Sequence, residues 1–438
     1  MAVKLSDGGG VGTATTEVRN MFGKKAPDVL VVGAGPVGLY SALVLARHKI
    51  PVTVVDKAWR PASRAYALAL HGASLDLLEE VGLVGRVLEK ARRVDTVGLY
   101  EGSDRKAEVR LTAGDRRAFV AVMSQDRLEG LLGEALEALG VPILWSHRIS
   151  HMEEAGDRVH VAVDKLEKES MGYGVARFDW TIAKSYDWKV PFVLGADGYQ
   201  SFVRRSLDIP FPEVGKAQHF AVFEFETDAD LGPEMRLVLE AERTNVLWPL
   251  PGRRMRWSFE LEEFSGDELS RQKDRLLVQV GGDEYPVLDP EHLYGFLKER
   301  APWFKGAIDD IDWRLVVRFE KRLATSFGRG RTWLAGDAGH MTGPAGIQSM
   351  NVGLREGHDL AHAIANVLKG DAGMEKLTAY GEGRTEEWSR LLGLAGAVKP
   401  LPKVDPWIAA RAGRLQGSLP ATGATLRGLM EQLGLHVE

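Results

Sequence analysis

The stretch 29-VLVVGAGPVGLYSALVLARHKIPVTVVDK-57 decides the fold of this chain. Residues 28–33 are an apolar, valine-rich run that ends in a glycine turn, which predicts a buried strand. Residues 36–49 then carry apolar residues at helical spacing, and Pro36 stands at the helix start, where its missing N–H costs nothing. Residues 52–56 are β-branched again, so the order predicts a β–α–β unit of a Rossmann-like α/β fold.

The glycines of this stretch have the spacing of a dinucleotide-binding loop. Gly33 permits the tight turn, Gly35 lets the backbone approach a pyrophosphate, and Gly38 allows close packing of helix on strand. Asp56, at the end of the next strand, can accept hydrogen bonds from ribose hydroxyls, and its charge would repel the 2′-phosphate of NADP. The loop therefore predicts a bound NAD or FAD, without distinguishing the two.

Composition excludes several classes of protein. The chain has 438 residues, 45% of them hydrophobic, and a net charge of −5, which is typical of a globular protein and argues against a nucleic-acid binder. It has no cysteine, which excludes disulfides and thiolate catalysis. The eleven histidines suggest no ligand pair with a carboxylate, so we predict no metal site. We expect residues 1–27 to form a flexible tail, no integral membrane segment, and a cytoplasmic protein.

Two later segments place aspartates at strand ends. In 192-FVLGADGYQSFVRRSL-207, a strand leads into Asp197 and Gly198 before a short helix. In 332-TWLAGDAGHMTGPAGIQSMNVGLREGHDLAHAIANVL-368, a strand delivers Asp337, and a glycine-containing loop leads into a long helix. An aspartate at the carboxyl end of a strand is well placed to accept hydrogen bonds from the hydroxyls of a sugar chain.

With these three motifs in this order, the sequence resembles the single-component FAD-dependent aromatic hydroxylases of the para-hydroxybenzoate hydroxylase type, the group A flavoprotein monooxygenases. The resemblance covers roughly residues 27–395. It implies FAD as cofactor and NADPH or NADH as a transient co-substrate. It further implies that O₂ reacts with the reduced flavin to give a C4a-hydroperoxide, which hydroxylates an electron-rich phenolic or heteroaromatic small molecule. Such an oxidoreductase would fit secondary metabolism.

The resemblance also assigns roles to residues. Asp337 would bind the ribitol of FAD, and Asp197 would lie in a motif that contacts the pyrophosphate region or the nicotinamide cofactor. Arg64 would lie on the pyrophosphate side, and Gln125 would contact the flavin or ribitol. Pro344 and Gly346 would lie near the isoalloxazine, and catalysis would belong to the flavin, with no catalytic side chain assigned. His340 would order its own loop. The predicted cofactor-binding set is Gly33, Gly35, Gly38, Asp56, Arg64, Gln125, Asp197, Gly198, Gly336, Asp337, Gly346 and Asn351.

The sequence departs from the family pattern at two places. The family loop after Pro344 is close to Gly-Gly-Gln-Gly-Met-Asn, whereas here Ile347 and Ser349 replace two of the glycines. Since only glycine freely adopts positive φ, the backbone there is expected to differ. Downstream, the usual Asp-Ala-x-Asn is replaced by the tetrapeptide at residues 356–359, Glu-Gly-His-Asp.

The middle of the chain changes character. Alternating runs such as 219-HFAVFEFE-226 and 254-RMRWSFELE-262 predict an antiparallel sheet with one covered face. We predict a substrate pocket between this sheet and the flavin, with a wall that includes Phe223, Phe225, Trp248 and Trp257. The predicted domains are the tail (1–27), three FAD-binding segments (28–100, 121–212, 311–370), two substrate-domain segments (101–120, 213–310) and a C-terminal helical region (371–438).

Other readings of the motifs stay open. Flavin-dependent epoxidases, reductases and halogenases share this fold, although the halogenase motif Trp-x-Trp-x-Ile-Pro is absent. A flavin-binding protein without turnover is a further alternative, because motifs that hold a cofactor do not establish a reaction. The substrate, the choice between NADH and NADPH, and the choice between monomer and homodimer are not determined by the sequence.

Overall fold

The computed structural model describes residues 26–59, 69–111, 117–171, 177–261, 277–280 and 283–438. Its nucleotide-binding part is built on a six-stranded sheet whose neighbours are parallel, except for one antiparallel pair at an edge. In spatial order, its strands are β20 (Gly328–Arg329), β21 (Thr332–Leu334), β12 (Phe192–Gly195), β1 (Val29–Val32), β2 (Val52–Val55) and β8 (Ile143–Leu144).

The central strand β1 is buried on both faces. Val29 and Val31 pack against helices α1 (Pro36–Arg47) and α7 (Gln348–Lys369), whereas Leu30 and Val32 face a second, three-stranded sheet. Successive side chains of a strand point to opposite faces, so a fully apolar run needs a cover on each side. The three-stranded sheet is β11 (Arg177–Val190), β10 (Arg158–Met171) and β9 (His147–Ala155).

A large eight-stranded sheet forms the other half of the molecule. All its neighbours are antiparallel except β14 and β5, which are parallel. In spatial order, its strands are β22 (His340–Met341), β19 (Ile308–Leu323), β13 (Glu213–Thr227), β16 (Arg254–Leu261), β15 (Thr244–Pro249), β14 (Glu234–Leu239), β5 (Thr96–Glu101) and β6 (Asp104–Arg110).

Helices and short strands complete the described chain. A 3₁₀ turn at Gly336–Ala338 follows β21. The remaining helices are α2 (Gly72–Glu80), α3 (Val84–Leu88), α4 (Gln125–Ala138), α5 (Phe202–Ser206), α6 (Pro290–Arg300), α8 (Glu375–Leu391), α9 (Pro406–Ala410), α10 (Ala412–Ser418) and α11 (Gly423–Gln432). The remaining strands are β3 (Ala69–Leu70), β4 (Arg92–Val94), β7 (Val120–Val122), β17 (Leu277–Val280), β18 (Asp283–Pro286), β23 (Val398–Pro400) and β24 (Leu435–Val437).

The predicted fold class is confirmed: a Rossmann-like domain carries an inserted, largely antiparallel sheet and C-terminal helices. The large sheet draws strands from residues 96–110, 213–323 and 340–341, and β19 runs across residue 310, where we predicted a boundary. The domain limits stay predictions. Among the described residues, no helix combines the length and the apolar character needed to cross a bilayer.

Candidate functional site

The loop between β1 and α1 is shaped so that only glycine fits at two positions. Gly33 has φ +106°, and a Cβ there would collide with the carbonyl oxygen of Ala196. A Cβ on Gly38 would collide with the carbonyl oxygen of Gly33. A Cβ built on Gly35 meets no described atom within 4 Å. The N-terminus of α1 is therefore open at Gly35, where a phosphate can approach the N–H groups of the first turn.

Asp56 is held beside this loop by backbone donors. Its half-buried carboxylate accepts hydrogen bonds from the N–H groups of Ala34 and Ala58, both at 2.7 Å. An ionised carboxylate has about four acceptor positions, so further hydrogen bonds to ribose hydroxyls fit beside these two.

The Asp197 side chain makes hydrogen bonds to groups of the protein itself. Its carboxylate accepts hydrogen bonds from the Ser201 hydroxyl (2.5 Å) and from the N–H groups of Phe202 (2.7 Å) and Val203 (3.1 Å). Burial raises the pKa of the Asp197 carboxyl, and these three donors oppose that rise. The bonds fix the start of α5, so the side chain orders the loop that follows β12, and Gly198 in that loop adopts φ +75°.

Unlike Asp197, Asp337 has an exposed side chain. It lies on the 3₁₀ turn and accepts a hydrogen bond from the Ser349 hydroxyl at 2.6 Å. The preceding Gly336 has φ +67°, and a Cβ there would lie 3.0 Å from the Val37 side chain at the start of α1. The turn therefore brings the Asp337 motif against the first glycine loop.

A buried polar network lies behind this turn. The Glu356 carboxylate is fully buried and accepts hydrogen bonds from the Gly336 N–H (2.8 Å), His340 Nε2 (2.9 Å) and Trp388 Nε1 (2.7 Å). Burial pushes the pKa of Glu356 up, but the His340 imidazole and these donors hold it below its ordinary value. The His340 ring is also fully buried and stacks on Trp388 at 3.7 Å, which agrees with a loop-ordering role.

The loop before α7 is tightly held. A Cβ on Gly346 would lie 2.7 Å from the carbonyl oxygen of Leu419 and 2.9 Å from that of Gly417. The Gly346 carbonyl oxygen also contacts Nε2 of the buried His71 at 2.9 Å. Ile347, where the family has glycine, adopts φ +50° and ψ +38°, the left-handed region that a β-branched side chain disfavours.

Asn351 has its side-chain hydrogen bonds satisfied within the protein. Its Oδ1 accepts from the His71 N–H (2.8 Å) and the Ser74 hydroxyl (2.7 Å), and its Nδ2 donates to the carbonyl oxygens of Ala69 (3.0 Å) and Ile347 (2.7 Å). The side chain is 4% exposed. It therefore fastens the first turn of α7 to the start of α2.

For two further predicted cofactor ligands, Gln125 and Arg64, the structure offers less support. The Gln125 amide donates to Oε1 of the buried Glu129 at 2.8 Å, one turn along α4, so part of its hydrogen-bonding capacity is used internally. Arg64 lies outside the described residues.

A cleft lies between the loop before α7 and the large sheet. The loop contributes Pro344, Ala345 and Ile347. The sheet contributes side chains that share one face: Val222, Val246, Trp248, Arg256, Ser258 and Phe319.

One of the four predicted wall residues, Trp248, lies at this cleft. The structure does not bring Phe223, Phe225 and Trp257 there, because they point to the opposite face of the sheet. On that face they are fully buried and pack with α6 and with aromatic side chains such as Phe296. They belong to the hydrophobic core.

A family model described as FAD binding domain matches residues 26–280 and 289–393. The chain belongs to this family. FAD is accordingly its cofactor, and the open loop at Gly35, the held Asp56 and the exposed Asp337 suit the diphosphate and hydroxyl groups of FAD.

One curated relative of this chain is 6-methylpretetramide 4-monooxygenase from Streptomyces rimosus. The two are 30% identical over 373 residues, which cover 84% of this chain and 60% of that protein. Pentachlorophenol 4-monooxygenase from Sphingobium chlorophenolicum is 25% identical over 377 residues, which cover 83% of this chain and 63% of that protein. The chain thus spans less than two thirds of the length of either relative.

Solved structures share the fold. A crystal structure of p-nitrophenol 4-monooxygenase from Pseudomonas putida has a TM-score of 0.68 at 20% identity, covering 93% of this chain and 96% of that one. A ternary complex of aklavinone-11 hydroxylase with FAD and aklavinone has a TM-score of 0.61 at 24% identity, covering 84% of this chain and 66% of that one.

Sequence reasoning missed several residues that shape the FAD binding domain site. Arg204 is 5% exposed and donates to the carbonyl oxygens of Ala338 and Tyr199, both at 2.8 Å, which ties the Asp197 loop to the Asp337 turn. The sequence carries no signal for His71 or Trp388 either. It marks Glu356 only as a departure from the family pattern, because its partners become neighbours only in the folded chain.

Proposed function

We propose that the chain is an FAD-dependent monooxygenase that uses NAD(P)H and O₂ to hydroxylate an electron-rich aromatic small molecule. The cleft beside Pro344 carries this proposal, because it adjoins the loop assigned to the isoalloxazine by family resemblance. Its lining is mostly apolar with two polar side chains, Arg256 and Ser258, which is the composition typical of a small-molecule site.

In this proposal the glycine loop at residues 33–38 holds the diphosphate, Asp56 the adenosine ribose, and Asp337 the ribitol. The loop from Pro344 to Ile347 lies against the flavin ring. When bound, FAD supplies hydride acceptance from NAD(P)H and the activation of O₂. The protein supplies orientation and a dry site.

The walls of the cleft support the exclusion of water. Val222, Val246, Trp248 and Ile347 are each less than 9% exposed and line the cleft with apolar surface. Water in such a site would divert activated oxygen from the substrate, so an apolar wall favours transfer to the ring.

Two polar side chains in the cleft give the substrate an orientation. Arg256 is 5% exposed, pairs with Glu224 on the neighbouring strand and stacks over Trp313 at 4.8 Å. Ser258 lies two residues along the same strand and face. In our proposal the guanidinium favours the ionised form of a phenolic hydroxyl, which is the more electron-rich form of the ring.

The relatives support a phenolic substrate, since their names include pentachlorophenol and 6-methylpretetramide. We place the activity in the cytoplasm, where NADH and NADPH are available, and treat the protein as a monomer or homodimer.

The test is to purify the protein, record its visible spectrum, and follow oxidation of NADH and of NADPH with and without a panel of phenols and polycyclic aromatics. A flavin spectrum, substrate-stimulated oxidation and incorporation of one atom from ¹⁸O₂ into the product are expected. Flavin that is reduced and reoxidised with no oxygen incorporated across the panel would contradict the proposal.

A variant at the cleft sharpens the test. Val222→Phe places a ring in the cleft and is expected to abolish substrate-stimulated oxidation while the flavin content stays at the wild-type level. Full activity of this variant on every substrate of the wild type would mean that the substrate binds elsewhere.

A further inference from the structure

A cluster of metal-ligating side chains lies where α2 meets α7. It consists of Glu80, the last residue of α2, and of His358 and His362 on α7. One carboxylate oxygen and one ring nitrogen from each histidine all lie within 4.8 Å of one another. None of the three residues lines the cleft, and none belongs to the proposed FAD-binding set.

The two histidines lie on one face of α7, and Glu80 faces them from the end of α2. His358 and His362 are four residues apart, so their rings lie on the same face of α7. The ring centroids are 4.4 Å apart, and Nε2 of His358 lies 3.1 Å from Oε2 of Glu80. Two imidazoles at this spacing with a carboxylate from a second element form a ligand set that divalent zinc accepts.

The outer surroundings of His358 orient its ring. Its Nδ1 donates to Oδ1 of Asp359 at 3.0 Å, which leaves Nε2 directed toward Glu80. Histidines that bind metals commonly donate their second ring N–H to a carboxylate in this way, because the bond fixes the ring and makes the ligand nitrogen more basic. Asp359 is itself 3.8 Å from the guanidinium of Arg384.

The remaining neighbours leave His362 available as a ligand. Its half-buried ring offers one nitrogen within 4.8 Å of the ligand atoms of Glu80 and His358. The His48 ring packs edge-on against it at 4.4 Å, and the ammonium group of Lys369 lies 3.3 Å from Nδ1 of His48.

We propose that Glu80, His358 and His362 bind a divalent transition-metal ion such as Zn²⁺, with water completing the coordination. The site clamps α2 to α7. His358 is ten residues beyond the start of α7, about 15 Å along its axis at 1.5 Å per residue, so the ion serves stability and takes no part at the flavin. The sequence alone predicted no metal site. Glu80 is 278 residues from His358, so the proposed ligand set comes together only in the folded chain.

The test uses the FAD-loaded chain without a histidine tag, stripped with a chelator and titrated calorimetrically with Zn²⁺. One equivalent is expected to bind and to raise Tm. His362→Ala and Glu80→Gln should each weaken binding by more than about 100-fold, and Asp359→Asn by about 10–100-fold, the range for loss of an outer carboxylate. The matched control is His151→Ala, which removes an exposed histidine that lies 3.9 Å from Glu153.

Flavin content serves as the check on folding, because none of these residues contacts the proposed flavin site. Absence of Zn²⁺ binding by the wild type would overturn the proposal. So would equal Zn²⁺ affinity of His362→Ala, Glu80→Gln and the His151→Ala control, since the ion would then bind elsewhere on the surface.

Discussion

Ile347 combines an unfavourable backbone conformation with a buried side chain. Its φ of +50° lies in the left-handed region, where a β-branched residue is an outlier, and strain of this kind costs about 1–3 kcal/mol. The side chain is buried, with 7% of its surface exposed, and it lines the cleft. Burial of that side chain, worth roughly 1.5–3 kcal/mol, is of the right size to offset the strain.

Small residues at position 347 are expected to rank in an unusual order. Ile347→Gly should be more stable than Ile347→Ala by about 1 kcal/mol, because glycine adopts positive φ without strain. The comparison is made from urea or thermal unfolding midpoints. At Ile408, a buried residue of α9, the same two substitutions should rank in the ordinary order, with alanine the more stable. An alanine advantage at both positions would contradict the role given to backbone strain.

Asp337 is the exposed carboxylate of the turn, and we predict that it binds FAD directly. Asp337→Ala should weaken FAD affinity by roughly 10–100-fold, the equivalent of one or two hydrogen bonds to a charged group. Flavin fluorescence on dilution or dialysis measures this change. Asp157→Ala, at another exposed aspartate, should leave flavin retention unaltered. Wild-type retention in Asp337→Ala would refute the assignment.

At the scale of elements, the site is a set of turns fixed by buried hydrogen bonds. Glu356 joins the 3₁₀ turn to α7 and α8, and Asn351 joins α7 to α2. Each side chain makes several buried hydrogen bonds to backbone groups and neighbouring side chains. Leaving a buried donor without a partner costs about 1–3 kcal/mol, so these residues fix the relative positions of elements that are distant in sequence.

Glu356→Gln tests the network behind the turn. An amide offers one oxygen where the carboxylate offers two, so an NH₂ group would face at least one of the donors Gly336 N–H and Trp388 Nε1. We expect a loss of about 2–4 kcal/mol of stability and faster release of FAD. Tm and flavin retention are measured beside Glu386→Gln, a change at an exposed residue of α8. Equal behaviour of the two variants would show that the network does not hold the turn.

At the scale of the whole molecule, burial of His71 makes stability depend on pH. Burial lowers its pKa from 6.5 to about 4, and the charge of Arg355 adds to the shift, while the bond to Gly346 opposes it. The unfolded chain therefore binds more protons than the folded one between these values. The stability due to this shift is complete above about pH 6.5 and is lost as the pH falls toward 4.

The loss from His71 amounts to about 2 kcal/mol at pH 5, at 1.36 kcal/mol per pKa unit. His71→Gln removes the titrating group and keeps an N–H that can donate to the Gly346 carbonyl oxygen. The fall in Tm between pH 7.5 and pH 5 should be smaller in this variant than in the wild type. His151→Gln, at an exposed histidine, should show the wild-type fall. An unaltered fall in His71→Gln would exclude His71 as its source.

The sequence by itself determined the features that depend on local order. Valine runs, glycine spacing and helical periodicity predicted β1, α1, β2 and the long helix α7, because each signal lies within a few turns or one strand. The three motifs in order indicated a bound FAD. At Ile347 the sequence predicted an altered backbone, whereas the residue adopts the left-handed conformation that glycine favours.

Only the tertiary structure decided which face of the large sheet borders the cleft. Alternation along the strand predicts that Phe223 and Phe225 share a face, and they do. Alternation does not say which face of the sheet α6 covers, and α6 packs on the face that carries these two side chains, away from the flavin loop. Likewise the contact of His358 with Glu80 and the hydrogen bonds of Asn351 to His71 join residues more than 270 positions apart. Periodicity within one element carries no information about such pairs, because only the packing of the elements brings them together.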